Sequence, residues 1–344
     1  GRLHRVRVDA AHLAVASEWI VFAGSFMNPA WKRSPSQRTG LELACAAAAL
    51  LLPWLLPSHA MMINEIAITA LFALSLDLIL GYTGIVSLGH AAFFGFGAYS
   101  AALFAKHVWP DPLAGLVFAV VACGLLGLLC SATVLRGSDL TRLMVTLGVA
   151  MILLELANKL DDLTGGADGL QGVIMGPVLG RFEFDLQGQT AAWYSLAVGL
   201  IGFAWARRWV ASPLGTSWMA IRDNRLRAMA VGIPVSSRVV TVYTLAAAMA
   251  GAAGGLLAQT TGFASLDVFA FERSADVMLM LVIGGVGWLY GGVVGAVVFK
   301  LLQDQLSTVT PQYWMFWIGL LLVLLVLVGR ARLLRPSRWW KGTR

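Results

Sequence analysis

Acidic side chains set inside apolar sequence are the first candidates for chemistry here. Asp77 lies in SLDLILGYTG, Glu65 in MINEIAITA, Glu42 in GLELACA and Glu155 in ILLELAN. An ionisable group at membrane depth is costly and marks a site unless water or a partner solvates it. Glu42, Glu65 and Glu155 fall near the ends of their apolar segments, where interfacial water does so. Asp77 lies one turn before Gly81, so it either hydrogen-bonds backbone exposed at a helix break or faces a transport pathway. His90 follows that break, as a packed neutral imidazole or as a proton relay. Ser87 and His90 are three apart, but no acid or oxyanion loop completes a hydrolase. Cys123 and Cys130 share one helical face and read as small hydrophobes, as does Cys45. With no CxxC and no clustered His/Cys set, a metal site is not expected. The acids of DDLTGGADGLQG (161–172) lack the spacing of a calcium loop. The run GGVGWLYGG follows no strand and matches neither GxGxxG nor GxxxxGK[ST], so it is no nucleotide loop.

The elements that hold these residues are apolar helices. Of 344 residues, 58% are hydrophobic and 12% charged, with mean hydropathy +0.77. A soluble domain carries about 25% charge. Apolar segments of spanning length run at about 41–57, 61–80, 85–105, 113–135, 140–157, 191–206, 239–259, 277–302 and 313–329. The predicted fold is all-α and polytopic, with about nine or ten transmembrane segments, some broken or re-entrant. Residues 1–40 form an amino-terminal extension that lies on the membrane surface or inside the cell, residues 41–330 the membrane domain, and residues 331–344 a basic tail. The chain opens on Gly1 rather than Met, and no cleavable signal is expected at its start.

The net charge of +7 reports loop placement rather than nucleic acid. Alternating the segments across a bilayer from a cytoplasmic amino terminus puts twenty Lys and Arg on the inner side. Only four, Lys106, Lys159, Arg181 and Arg273, fall outside. The positive-inside rule thus puts both termini in the cytoplasm. For the carboxyl terminus to arrive there, residues 277–302 must dip and return, and the glycines at 284, 285 and 287 supply the break. A second break is expected at Gly81, Thr83 and Gly84, because glycine inside a helix costs about 1 kcal/mol against alanine. Non-helical backbone at membrane depth survives only where protein buries it or where it lines a watery cavity. Gly251 and Gly255, and Gly287, Gly291 and Gly295, form small-residue stripes suited to close helix packing. The segments GHAAFFGFGAYSAALFAK (89–106) and GGVGWLYGGVVGAVVFK (284–300) share a layout, which suggests two related halves.

One sizeable polar segment separates spans on the inner side, within 207–238: SPLGTSWMAIRDNRLRAMAVGI (212–233). Ser212-Pro213 starts a helix well, Trp218, Ile221, Met229 and Ile233 are apolar, and Gly232-Ile233-Pro234 stops it. The expected element is one short surface helix, which binds anionic lipid or docks a cytoplasmic partner.

These stretches resemble the inner-membrane permease subunits of branched-chain amino acid ABC importers, the LivM-type proteins. GYTGIVSLGHAAFFGFGAY is similar to that family's GYTG-x-x-SLGHAAFFGIGAY signature, and TGGADGLQG resembles its TGG-x-DGL outer loop. SPLG-x4-AIRDN-x3-A-x3-GI is similar to its ATPase-coupling loop, and LVIGGVGWLYGGVVGA to its GGxGxxxGPxxGA segment. The resemblance covers about residues 41–330. Four positions depart from it: Asp77 stands where asparagine is usual, Thr216 where arginine is common, Arg227 where alanine is, and Gly292 where proline is usual.

The resemblance implies roles for particular residues. Ser212, Pro213, Gly215, Ala220, Ile221, Arg222, Asp223, Asn224 and Gly232 would couple the chain to ATPases. Asp77, Gly81, Tyr82, Thr83, Gly84, Ser87, Gly89, His90, Gly284, Gly285 and Gly287 would form the helix breaks along the translocation pathway. Thr164, Gly165, Gly166, Asp168 and Gly169 would face a soluble binding protein. No Walker motif is present, so ATP would be used by partner subunits, and no cofactor is expected on this chain. The implied partners are two ATP-binding subunits, a second related permease, a periplasmic binding protein and the lipid bilayer, with no nucleic acid. The implied location is a bacterial inner membrane. A stand-alone secondary transporter or channel explains the broken helices equally well, but not the AIRDN loop. Leucine-type amino acids are the default substrate, with urea, short amides and other small metabolites open.

Overall fold

The structure, a computed structural model, describes residues 35–134, 139–185, 187–309 and 311–328. Residues 1–34 and 329–344, which hold most of the amino-terminal extension and the basic tail, lie outside the described residues, as does Arg136. The chain divides into two compact units, Gly1–Ala49 and Leu50–Arg344. Helix α1, Pro35–Leu55, starts in the first and ends in the second. Every feature discussed below belongs to the second unit.

That unit is built from helices Ala60–Thr83 (α2), Ala91–His107 (α3), Pro112–Val134 (α4), Asp139–Lys159 (α5), the single turn Asp161–Thr164 (α6) and Gln189–Val210 (α7). Then come Pro213–Asp223 (α8), Arg225–Ala230 (α9), Val235–Thr261 (α10), Phe271–Gly284 (α11), Leu289–Val309 (α12) and Trp314–Val328 (α13). Among the described residues there is no strand, only two isolated bridges. The protein is a polytopic all-α membrane protein. Each apolar segment read from the sequence is a helix, and the long one at 277–302 is two. Among the described residues, four spans pass on length and apolarity alone: Pro57–Thr83, Pro112–Ala132, Thr141–Lys159 and Val235–Thr261. The pair α11 and α12 passes together and bends by 111° at its break. At 17 residues, α3 is at the short limit for crossing.

Several boundaries differ from the sequence expectation. The helix expected from Ile85 starts at Ala91, and the six residues before it are irregular. Gly84 ends α2 in the left-handed region at φ 72°, and a Cβ at Gly89 would overlap the Thr146 carbonyl of α5. Gly81, expected inside the break, is still helical. Its small size serves a close approach, described below. The re-entrant helix starts at Phe271 rather than Val277.

Close packing explains the glycine stripes. A Cβ at Gly97 of α3 would stand 2.5 Å from the Gly251 Cα of α10, and one at Gly251 would overlap the Cys123 side chain of α4. A Cβ at Gly255 would sit 3.3 Å from Ala119 and 3.4 Å from Ala101. Gly291 and Gly295 likewise press α12 onto the Gly285 and Met280 carbonyls of α11. Without a hydrophobic drive between helices in lipid, such backbone contact is what holds them together.

Candidate functional site

The two breaks meet. Asp77, fully buried in the last third of α2, accepts the Gly287 N–H through Oδ1 at 2.7 Å. Gly287 lies in the turn between α11 and α12, with φ 75°. A Cβ on Gly81 would stand 2.5 Å from the Gly287 nitrogen and 2.7 Å from its Cα. Gly81 is therefore a slot for the other turn rather than a helix breaker. The Tyr82 hydroxyl accepts from the Leu289 backbone N–H at the first residue of α12. Three successive features of α2 thus hold one glycine turn. Gly284 and Gly285 complete that turn, with Gly285 at φ 110°.

The polar segment 212–233 closes the arrangement. It forms two helices, not the single one expected. Asn224 adopts an extended conformation at φ −162°, and its side chain accepts the Arg227 N–H at 2.9 Å to start α9. Asparagine gains more as a cap than as an interior helical residue. Ser212 caps α8 by accepting the Leu214 N–H at 3.2 Å, with Pro213 at the first helical position. Gly215 is small because a Cβ there would overlap the Val210 carbonyl. Trp218 is fully buried and donates its indole N–H to the Arg238 carbonyl at 3.1 Å, and Ile221 is buried beside it. These anchors fix the face of α8 that carries Arg222.

Arg222 donates through Nη1 to the Gly81 carbonyl at 2.7 Å. Its stem lies over Gly84, where a Cβ would be 3.0 Å from Cγ. A Cβ at Gly287 would be 3.1 Å from Nη1. The guanidinium also reaches Asp223 Oδ1 at 3.4 Å, on the exposed side. Arg222 stands within electrostatic reach of Asp77. One cation of this polar segment therefore touches both breaks. Ala220 accepts the Asn224 N–H, and Gly232 turns the chain back at φ 91°. Neither of these two meets the breaks.

The remaining break residues lie elsewhere. His90 is fully buried, its Nε2 is 2.8 Å from Ser75 Oγ, and it stacks on Phe72. Its polar partner is a side chain, not the backbone. Ser87 is buried, and the Thr83 hydroxyl returns to the Ile79 carbonyl of its own helix. Sequence reasoning missed Ser274 of α11, which accepts the Ala91 N–H at 2.9 Å and so caps the start of α3. No local pattern marks it, since the two are 183 residues apart.

The loop after α5 lies at the opposite end of the helices. Thr164 donates to the Ala157 carbonyl at 2.5 Å, and Gly165 and Gly166 both have positive φ. Leu170 and Ala264 exchange two backbone hydrogen bonds, at 2.8 and 3.2 Å. Asp168 is exposed. Gly169 has φ 73° and ψ 168°, a region open essentially to glycine alone. A Cβ there would stand 2.7 Å from the Ala264 carbonyl. Gly169→Ala is expected to cost about 1–3 kcal/mol locally and to loosen this pairing. The readout is faster amide hydrogen exchange at Leu170 and Ala264, with unchanged exchange at Gly287.

Among the described residues no group of His, Cys, Asp and Glu could hold a metal ion. The arrangement offers contacts that two helix breaks and a surface helix make or lose together.

Comparison with known proteins follows the same lines. The family described as "Branched-chain amino acid transport system / permease component" matches residues 58–326. Two relatives each carry the name "High-affinity branched-chain amino acid transport system permease protein LivM", one from Salmonella typhimurium and one from Escherichia coli strain K12. Each is 28% identical over 295 residues, covering 78% of this chain and 68% of the relative. No solved structure matches.

Proposed function

This chain belongs to the permease-component family of branched-chain amino acid transport systems, and from that premise we propose that it is the membrane subunit of an ATP-driven importer of branched-chain amino acids or a related small polar metabolite. The Arg222 bond to the Gly81 carbonyl carries this reading. It gives α8, lying at the end of the helices, a direct hold on the break of α2 and on the glycine turn that Asp77 binds. Movement of α8 by an ATPase seated on it is then movement of both breaks.

In this reading α8 and α9 rest on one of two ATP-binding subunits in the cytoplasm, and ATP is spent there. A second, related permease completes the pathway, and transport proceeds by alternating access. The loop containing Thr164, Gly165, Gly166, Asp168 and Gly169 receives a periplasmic binding protein. Its ordered turns and its pairing to Ala264 suit a fixed docking face better than a solvated tether. The charge count supports a cytoplasmic location for both termini, and we take the membrane to be a bacterial inner membrane.

The test is uptake of leucine by proteoliposomes holding the permease pair, the ATPases and the binding protein. Uptake that requires ATP and all the subunits is expected. Uptake by this chain alone, driven by an ion gradient, would overturn the reading in favour of a secondary transporter.

A further inference from the structure

The exposed faces of the helices are not alike. On α4 the exposed side chains include Val117, Phe118, Val121, Leu125 and Leu129, a face that lipid can cover. The face shared by α2 and α12 is different. Lys300, halfway along α12, bridges to Glu65 of α2 at 3.0 Å, with the lysine side chain 13% exposed and the glutamate 58%. Asp304 follows one turn later and is exposed, and Asp276 of α11 lies within electrostatic reach of Lys300. Glu65 falls inside the span Pro57–Thr83. Exposed charges on such helices do not face hydrocarbon; they line water or a polar interface.

Lys300, Glu65 and Asp304 line a groove of about 380 Å³, walled also by Met62, Gln303, Ser307 and Trp314. That is within the range of small-molecule sites, roughly 300–1,000 Å³. The groove therefore combines a lysine, two carboxylates, the side chain of Gln303 and the apolar walls of Met62 and Trp314.

We propose that this groove is a station for the zwitterionic head of an amino acid on its way through the membrane. Its ammonium is held by Glu65 and Asp304, and its carboxylate by Lys300. The ligand exchanges the Glu65–Lys300 pair for two pairs of its own, so neither charge is left alone in a poorly solvated site. The aliphatic side chain lies on Met62 and Trp314. This rests on the importer reading and adds where in this chain the substrate stops.

The test uses the full complex in proteoliposomes with leucine. Lys300→Gln and Glu65→Gln are each expected to lower uptake at least about ten-fold, as loss of one charged hydrogen bond implies. ATP hydrolysis stimulated by the loaded binding protein is expected to change less than about two-fold. Asp304→Asn, which leaves the Glu65–Lys300 pair in place, separates recognition from mere structure. A strut between α2 and α12 does not use Asp304, whereas the station does, so uptake is expected to fall about ten-fold in this variant as well. Native uptake in Asp304→Asn, or unchanged uptake in both single variants of the pair, would overturn the proposal while leaving the importer reading intact. A wild-type complex that takes up no leucine removes the importer reading instead.

A second measurement holds if the charge variants fail to fold. Ser307→Cys, on the groove wall, in a Cys45→Ser background is expected to react with a membrane-impermeant thiol reagent. Leucine is expected to slow that reaction, and isoamylamine, which lacks the carboxylate, is not. No labelling, or labelling that leucine leaves unchanged, would overturn the proposal.

Discussion

Replacing Arg222 by Glu is expected to leave the protein in the membrane and its partner ATPases turning over, while uptake falls roughly thirty-fold. The Nη1 donor to the Gly81 carbonyl is lost, and a carboxylate is set against that carbonyl and against Asp77. A hydrogen bond to a charged group is worth about 1.5–3 kcal/mol, and about 2 kcal/mol corresponds to the stated factor. Arg222→Lys keeps the charge but has a compact ammonium instead of a planar fork. It is expected to fall between the two. Uptake and ATP hydrolysis are measured on the same vesicles, since the claim concerns their ratio. A ratio in Arg222→Glu equal to that of the native protein would show that α8 acts on the breaks by another route.

Asp77 carries the second large effect, and its two replacements separate acceptor from charge. In Asp77→Ala the buried Gly287 N–H loses its partner and a cavity opens beside Gly81. About 1–3 kcal/mol from the orphaned donor, with the cavity in addition, is expected to lower thermal stability in detergent and to abolish uptake. In Asp77→Asn the side-chain carbonyl takes the place of Oδ1 and the N–H stays bonded. Asp77 Oδ2 is buried with no hydrogen-bond partner among the described residues, so asparagine also removes a poorly solvated charge. Asp77→Asn is expected to be at least as stable as the native chain and to retain uptake. Thermal melting of the three proteins, followed by tryptophan fluorescence, decides it. A destabilised Asn variant would mean that the carboxylate's attraction to Arg222, not its hydrogen bond, holds the turn.

Hydropathy alone located the helices, because a segment that is apolar all round has no other stable place than a bundle in lipid. Ser212-Pro213 marked the start of α8 for the same local reason, a cap beside a proline. The glycines were harder to read. Gly84 does end a helix, but Gly81 continues one, and only the approach of Gly287 explains it. Sequence spacing cannot separate a glycine needed for its φ from one needed for its size. Arg222 was legible as part of a motif, but its partner was not. A main-chain carbonyl has no side-chain identity that a reader could pair with an arginine 141 residues away. Glu65 read alone as an interfacial acid, and no local pattern pairs it with Lys300, 235 residues away. Asn224 read as the middle of one helix because its neighbours are good helix formers. Its own side chain, bonded to the Arg227 N–H, breaks that helix in two.

The short re-entrant helix has a consequence for how the chain is made. With 14 residues, α11 is about 21 Å long, against a hydrocarbon layer of about 30 Å. Its first turns carry Glu272, Arg273 and Asp276, and each such charge weighs about 2.5–3.5 kcal/mol against insertion at a helix centre. The segment leaving the ribosome thus lacks the signal to partition into lipid by itself. It is therefore expected to enter together with α12, which passes as a span only in company with it, onto a surface already presented by α2 and α3. The Asp77 carboxylate and the Gly81 slot are on that surface before Gly287 is synthesised. Biogenesis is then ordered, with the receptor half of the joint built first and the inserted half fitted to it last.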